Sequence, residues 1–190
     1  MIWFTADWHL SHRNIIKYCE RPFKNTHYMN KTILKNYCDV VGEDDQVYFL
    51  GDMTMMGPSE QNKVSKQLED LPGIKHLVLG NHDKFKPFTY HEMGFSSVHT
   101  ALQTTFHHLD LAFGAADFLM AHDPAWAQIP ETIWICGHIH NHWVSQKTDT
   151  NTIIVNVGVD VWNFKPVSLD QVVDEIGKYA INGRKLAKVE

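Results

Sequence analysis

The hydrophobic pattern of this chain predicts short buried strands that each end at polar residues. Four apolar runs lie at residues 2–6, 47–50, 76–79 and 133–136, and Asp, Asn or His follows each within a few positions. Continuous apolar runs that end at glycine or polar residues are typical of strands buried on both faces of a parallel sheet. Because ligands bind beyond the carboxyl ends of such strands, the pattern favours one shared site.

Helical spacing separates the first three strands. Ser11 is the expected cap of a short helix, Ser59 of a later one, and between them Ile33, Tyr37 and Val41 mark the buried face of a longer helix. This β-α-β-α-β order predicts parallel strands joined by right-handed crossovers.

The second half of the chain has a different pattern. Residues 84–95 predict a loop with a helical turn, and residues 96–120 predict antiparallel hairpins with turns near 107–108 and 114–115. A further strand is expected at 152–157, followed by a helix with a Ser168…Gln171 capping box. Residues 181–190 read as a short strand or a tail.

Composition narrows the class of protein. The 190 residues fit a single domain spanning 1–190, and 44% hydrophobic residues suffice for a substantial core. No apolar run approaches membrane-spanning length, no basic leader precedes the first strand, and three scattered cysteines suggest reduced thiols, so we expect a cytoplasmic protein. The net charge of −5 does not indicate a long nucleic-acid partner, whereas 13 histidines are unusual.

Seven polar residues at predicted strand ends are candidate metal ligands. They are Asp7, His9, Asp52, Asn81, His122, His138 and His140. Four imidazoles, two carboxylates and an amide suit a pair of divalent transition ions, with manganese expected and iron, zinc or nickel as alternatives. Two divalent ions outweigh two carboxylates, so the site stays positive and favours an anion such as phosphate. Turn and cap chemistry explains Asp and Asn at such positions but not the histidines.

These motifs resemble those of the calcineurin-like metallophosphoesterases. Asp7-x-His9, Gly51-Asp52, the segment 80–83, His122 and Gly137-His138-x-His140 match the five motifs of that family in order, and residues 7–23 resemble a subgroup of small bacterial and phage phosphoesterases. The resemblance implies an α/β fold, a four-layer α/β/β/α sandwich of two mixed sheets with a dinuclear site between strand ends.

The resemblance also implies individual roles. Asp7, His9, Asp52 and His140 would hold the first ion, and Asp52 would bridge to a second held by Asn81, His122 and His138. His82 would protonate the leaving group and Asp83 would orient it. A histidine beside a metal site and a carboxylate suits a proton donor, although His82 could instead only hydrogen-bond Asp83 to shape the loop.

Basic residues after the first ligand pair are candidate substrate contacts. His12, Arg13 and Arg21 could meet phosphate oxygens, or lie on a solvated helix face.

The main hypothesis is a dinuclear metal-dependent phosphodiesterase in which a metal-bridging hydroxide attacks the phosphoester and His82 acts as general acid. A nucleotide or nucleic-acid end is a candidate substrate. The alternatives are a phosphomonoesterase and a catalytically silent metal-binding interaction module on the same fold.

Overall fold

The computed structural model describes residues 1–106 and 117–179. In these residues ten strands form two sheets: β1 (Ile2–Thr5), β2 (Gln46–Phe49), β3 (Ile74–Val78), β4 (Phe95–His99), β5 (Leu102–Thr105), β6 (Asp117–Met120), β7 (Ile133–Cys136), β8 (Ser145–Lys147), β9 (Ile153–Asn156) and β10 (Val167–Ser168). Five α-helices accompany them: α1 (Arg13–Tyr18), α2 (Thr26–Cys38), α3 (Gln61–Leu68), α4 (Pro87–Glu92) and α5 (Leu169–Ile176). Three short 3₁₀ helices lie at Pro58–Glu60, Pro124–Trp126 and Val159–Val161.

Both sheets contain parallel and antiparallel pairs. The first has the order β10-β1-β2-β3-β4, in which β1 to β4 are parallel and β10 runs antiparallel to β1. The second has the order β5-β6-β7-β9-β8, with β6, β7 and β9 parallel and the two edge strands antiparallel. The predicted α/β fold with two mixed sheets is confirmed, and the four-layer sandwich fits this arrangement.

The core lies on both faces of the first sheet, as its continuous apolar strands require. Val47 and Phe49 belong to a cluster shared with helices α1 to α4, whereas Phe4 and Val78 belong to a cluster shared with the second sheet and α5. Because successive side chains of a strand point to opposite faces, one apolar run serves both clusters. The strand ends are thereby fixed where the two sheets meet.

Two predicted helix caps are wrong. Ser11 has a positive φ of 66°, and its N–H and hydroxyl pair with the amide of Asn30, so α1 begins after His12. Ser59 lies within a 3₁₀ turn, and α3 begins after Glu60 without a side-chain cap. The longer helix α2 is capped by Asn25 and ends at Cys38. The capping box of α5 is confirmed.

The hairpin prediction for residues 96–120 is correct in part. β5 and β6 are antiparallel, but β4 pairs with β3 in parallel because α4 provides the crossover. The turns expected near 107–108 and 114–115 and the segment 181–190 lie outside the described residues. No helix of the described residues is long and apolar enough to span a membrane.

Candidate metal centre

All seven predicted ligands follow the carboxyl ends of strands. Asp7 and His9 follow β1, Asp52 follows β2, Asn81 follows β3, His122 follows β6, and His138 and His140 follow β7. Backbone hydrogen bonds tie these loops together: the N–H of Asp7 donates to Gly51 O at 3.0 Å and that of His9 to Asp52 O at 2.9 Å. The N–H of Val159, beyond β9, donates to Ala6 O at 3.1 Å and joins the second sheet to the first, so the strand ends of both sheets meet in one place.

One cluster contains the side chains of Asp52, Asn81, His122 and His138. Asn81 Oδ1 lies 3.0 Å from His122 Nε2 and 3.1 Å from His138 Nδ1, and His122 Nε2 lies 3.3 Å from Asp52 Oδ2. Ligand atoms about 2.1 Å from a metal and at right angles to one another are roughly 3.0 Å apart. These separations therefore suit one coordination sphere.

A second cluster contains Asp7, His9 and His140, with ligand atoms all within 4.8 Å of one another. Asp52 also reaches it, because Asp52 Oδ2 lies 3.5 Å from His9 Nε2. The same oxygen thus faces an imidazole of each cluster. This is the position that a bridging ligand requires.

Each carboxylate of the site has one oxygen held by the backbone. Asp7 Oδ2 accepts the N–H of His138 at 2.9 Å, and Asp52 Oδ1 accepts the N–H of His82 at 2.8 Å. Two imidazoles are also held at one nitrogen: His122 Nδ1 lies 2.7 Å from the backbone oxygen of Leu50, and His140 Nδ1 lies 3.1 Å from the side-chain oxygen Oδ2 of Asp160. The remaining atom of each group is left for an ion, as is typical of metal ligands.

Five of the seven ligands have left-handed backbone conformations. Their φ values are 58° at Asp7, 48° at His9, 54° at Asp52, 72° at His138 and 49° at His140. This region costs energy for residues with a Cβ and occurs where the surroundings enforce it, most often at functional sites. The presence of five such residues at these strand ends indicates a functional site whose backbone conformation is enforced by its surroundings.

Orphaned polar atoms show that the residues fit a metal. Asp7 Oδ1 and His9 Nε2 are buried and have no hydrogen-bond partner among the described residues. Burial raises the pKa of Asp7 to about 6 and lowers that of His9 to about 3. Such groups are costly in an empty protein interior, and divalent ions would satisfy them.

The electrostatics of Asp52 and His122 also suit cation binding. Burial alone would raise the pKa of Asp52, but the hydrogen bond and charge of His122 outweigh it and lower the pKa to about 2. Burial would lower the pKa of His122, yet the hydrogen bond with Asp52 and the charge of Asp7 raise it to about 9. A proton on His122 therefore takes the place of a cation beside Asp52.

Comparison with known proteins identifies the family. A model of the calcineurin-like phosphoesterase superfamily domain matches residues 5–168. The chain belongs to that superfamily. The predicted family is thus confirmed. Membership supports metal-dependent hydrolysis of phosphoesters, and the family has a dinuclear metal centre.

Individual relatives match nearly the whole chain. An uncharacterized protein, MJ1445 of Methanocaldococcus jannaschii, is 36% identical over 93% of this chain and 92% of its own length. The Gene 66 protein of Mycobacterium phage L5 is 28% identical over 90% of this chain and 92% of its own length. The crystal structure of AQ665 from Aquifex aeolicus, a protein of unknown function, aligns with a TM-score of 0.67 and 26% identity over 93% of this chain and 98% of that protein.

His82 lies beside the second cluster, which contains Asp7, His9 and His140. Its ring centroid is 5.5 Å from that of His9, and its side chain is half-buried. Asp83, however, points elsewhere: its carboxylate accepts the N–H groups of Asp52 and Gly80 at 2.8 Å and of Met53 at 3.2 Å. The three backbone hydrogen bonds make Asp83 a tie between the loops after β2 and β3. We therefore revise its predicted role of orienting His82.

Arg21 is not placed as a substrate contact. Its guanidinium is buried and donates to both oxygens of Asp160, each at 2.7 Å. It also donates to the carbonyl oxygens of Asp7 at 2.7 Å and Trp8 at 3.0 Å. Asp160 in turn contacts His140, so this pair connects the loop after β1 to a ligand of the loop after β7. The prediction that Arg21 meets phosphate is wrong because the side chain is committed to the interior.

His12 and Arg13 differ in their relation to the site. The ring centroid of His12 is 5.4 Å from that of His9, and burial followed by the charge of His82 lowers the pKa of His12. Arg13 is exposed at the start of α1. His12 therefore lies next to the second cluster, and substrate contact by either residue stays a prediction.

Two residues that hold the candidate ligands in place are not among those predicted from the sequence. Asp160 holds His140, and the amide of Asn156 donates to the carbonyl oxygens of His140 and Trp143, both at 2.8 Å. A signal was present, because residues 153–160 repeat the pattern of an apolar strand, a glycine and a polar side chain. Residues at and after the end of this fifth strand, β9, therefore hold the loop that carries the ligand His140.

Proposed function

We propose that this protein is a dinuclear metal-dependent phosphodiesterase. Asp7, His9, Asp52 and His140 would hold one ion, and Asp52, Asn81, His122 and His138 the other. Two divalent ions there would activate water and neutralise the charge on a phosphoester. The observation that carries this proposal is the position of Asp52 Oδ2, which lies 3.5 Å from His9 Nε2 and 3.3 Å from His122 Nε2.

His82 is proposed as the proton donor to the leaving oxygen. Its side chain makes no hydrogen bond to other described residues, so it is available to a bound substrate. Its backbone N–H donates a hydrogen bond to Asp52 Oδ1. This bond fixes the backbone of His82, from which the imidazole extends, relative to the proposed bridging ligand Asp52. A positioned imidazole next to the reacting phosphorus is suited to general acid catalysis.

A preference for diesters follows from the distribution of cations. The segment after Asp52 carries no positive charge up to residue 57, and its Met53 and Met56 are buried. Arg21, a nearby cation that could otherwise neutralise a phosphate, is paired with Asp160. A monoester dianion needs more neutralisation than a diester monoanion, so the diester suits this site better.

The alternative substrate class is a phosphomonoester. The exposed Arg13 next to His12 favours it, because an exposed guanidinium there could contact the additional phosphate charge. Replacement of Arg13 by Met separates the two readings. On nitrophenyl esters that carry no nucleoside, a monoesterase would lose most of its activity, whereas a diesterase would keep it.

The proposal is tested with stripped protein to which Mn²⁺ is returned. The values of kcat/KM are measured for bis(4-nitrophenyl) phosphate and 4-nitrophenyl phosphate, whose leaving groups are the same. We expect activity only with metal and a higher value for the diester. A monoester preference of about tenfold, or roughly 1.4 kcal/mol in transition-state stabilisation, contradicts the diesterase assignment. No activity on either ester in fully loaded protein favours the silent binding module.

A further inference from the structure

An exposed aromatic ring lies at the edge of the candidate metal centre. Tyr18, the last residue of α1, is 70% exposed. Its ring centroid is 6.2 Å from that of His12, which is 5.4 Å from the ring of the proposed ligand His9. A large aromatic side chain within two ring contacts of a reaction centre is a platform on which a planar group of the substrate can stack.

His12, between the two rings, has unused hydrogen-bonding capacity. Its Nδ1 is buried without a partner, and no hydrogen bond of its ring is present among the described residues. A nitrogen without accessible surface cannot receive an incoming ligand, so Nε2, which is not among the buried unpaired atoms, is the nitrogen of His12 that is open to a substrate oxygen.

The helix that carries Tyr18 is basic, which suits an anionic ligand. Arg13 and Lys17 are both exposed on the six-residue helix α1, which carries no acidic residue. The chain as a whole has a net charge of −5, so this helix departs from the average surface. Cations next to an exposed aromatic ring are the combination that binds the backbone and bases of nucleotides.

We propose that Tyr18 and His12 form a nucleoside subsite beside the metal centre, so that the substrate is a nucleoside phosphodiester. This inference rests on the proposed phosphodiesterase function. The base stacks on Tyr18, and the ring of His12 hydrogen-bonds an oxygen of the sugar or phosphate. Since every base has a π face, stacking on one tyrosine tolerates different bases.

The test compares two diesters with the same leaving group. Thymidine 5′-(4-nitrophenyl phosphate) carries a nucleoside, and methyl 4-nitrophenyl phosphate does not. The kcat/KM ratio of the two is measured for wild type, Tyr18→Ala, Tyr18→Phe and the control Tyr28→Ala, which removes a 45% exposed tyrosine of α2. We expect wild type to prefer the nucleoside and Tyr18→Ala to lose about tenfold of that preference, a typical effect of base stacking. Tyr18→Phe and Tyr28→Ala should keep it.

The possible outcomes distinguish a failure of the nucleoside subsite from a failure of the proposed phosphodiesterase function. Equal ratios in wild type, Tyr18→Ala and Tyr28→Ala, with both diesters hydrolysed, overturn the subsite and leave the phosphodiesterase intact. If neither diester is hydrolysed, the phosphodiesterase fails, and calorimetric titration with thymidine monophosphate decides the subsite. Roughly tenfold weaker binding by Tyr18→Ala than by Tyr28→Ala supports it, and equal binding contradicts it.

The same titration distinguishes the two sources of a nucleoside phosphate. If a single-stranded oligothymidylate competes with thymidine monophosphate for wild type but not for Tyr18→Ala, the natural ligand is a strand end. If only the mononucleotide binds in a way that depends on Tyr18, the natural ligand is a free nucleotide. Competition that is indifferent to Tyr18 contradicts the subsite for both.

Discussion

The buried pair of Arg21 and Asp160 offers a prediction whose size follows from the structure. The two side chains are 0% and 2% exposed, and the guanidinium also serves the backbone of Asp7 and Trp8. Replacement of Asp160 by Ala leaves this cation buried without its counter-ion. The loss of one partner of a buried pair costs about 3–5 kcal/mol. For a chain of this size that cost corresponds to a fall in Tm of roughly 6–20 °C.

The same replacement should weaken metal binding. Asp160 Oδ2 lies 3.1 Å from His140 Nδ1 and fixes the imidazole with Nε2 towards the site. Burial would lower the pKa of His140, but the hydrogen bond with Asp160 raises it to about 10. Loss of such an outer partner typically lowers metal affinity about 10–100-fold.

The assay combines thermal unfolding of metal-stripped protein with a competitive Mn²⁺ titration. Asp39→Ala is the matched control, because it removes an aspartate from an exposed pair with Lys35, which should contribute at most about 1 kcal/mol. The double variant Arg21→Met/Asp160→Leu should be more stable than Asp160→Ala, since it leaves no charge unpaired. If Asp160→Ala loses no more stability and metal affinity than Asp39→Ala, the assigned role of the pair is refuted.

Three further predictions concern the centre itself. His82→Ala should lower kcat about 10²–10⁴-fold for an alkyl phosphodiester and much less for a nitrophenyl ester, whose leaving group needs no proton; equal losses in steady-state assays would make His82 a structural residue. Gly80→Ala should reduce bound metal, because the new Cβ would lie 2.6 Å from Asp52 N, whereas Gly57→Ala meets open space; equal metal contents would contradict this. At pH 7 the pKa values of about 9 for His122 and about 10 for His140 mean that both carry protons without metal, so ion binding should release roughly two protons and strengthen as the pH rises towards 9. Calorimetry in buffers of different ionisation enthalpy measures this release, and identical heats would exclude it.

The strand ends were predictable from sequence because burial leaves a local signature. Residues 47–50 and 133–136 are continuously apolar, and the polar residues that follow can only lie at the ends of their strands. Parallel pairing then carries Asp7, Asp52 and Asn81 to one edge of the first sheet. The family and fold predictions rest on this pattern and are confirmed.

Long-range pairing was not predictable in the same way. Arg21 pairs with Asp160, 139 residues away, and no local pattern distinguishes this arginine from the exposed Arg13. Asp83 likewise resembles a partner of its neighbour His82, although its carboxylate binds the backbone of another loop. The left-handed conformation of Asp52 and His138 is enforced by contacts between loops and has no sign in the sequence.

The central claim is that seven side chains hold two ions bridged by Asp52. Anomalous diffraction from crystals of Mn²⁺-loaded protein tests it most directly. The account predicts two peaks about 3.5–4 Å apart, with the Asp52 carboxylate between them, Asp7, His9 and His140 around one, and Asn81, His122 and His138 around the other. A single peak at saturating metal, or two peaks that Asp52 does not join, would contradict it.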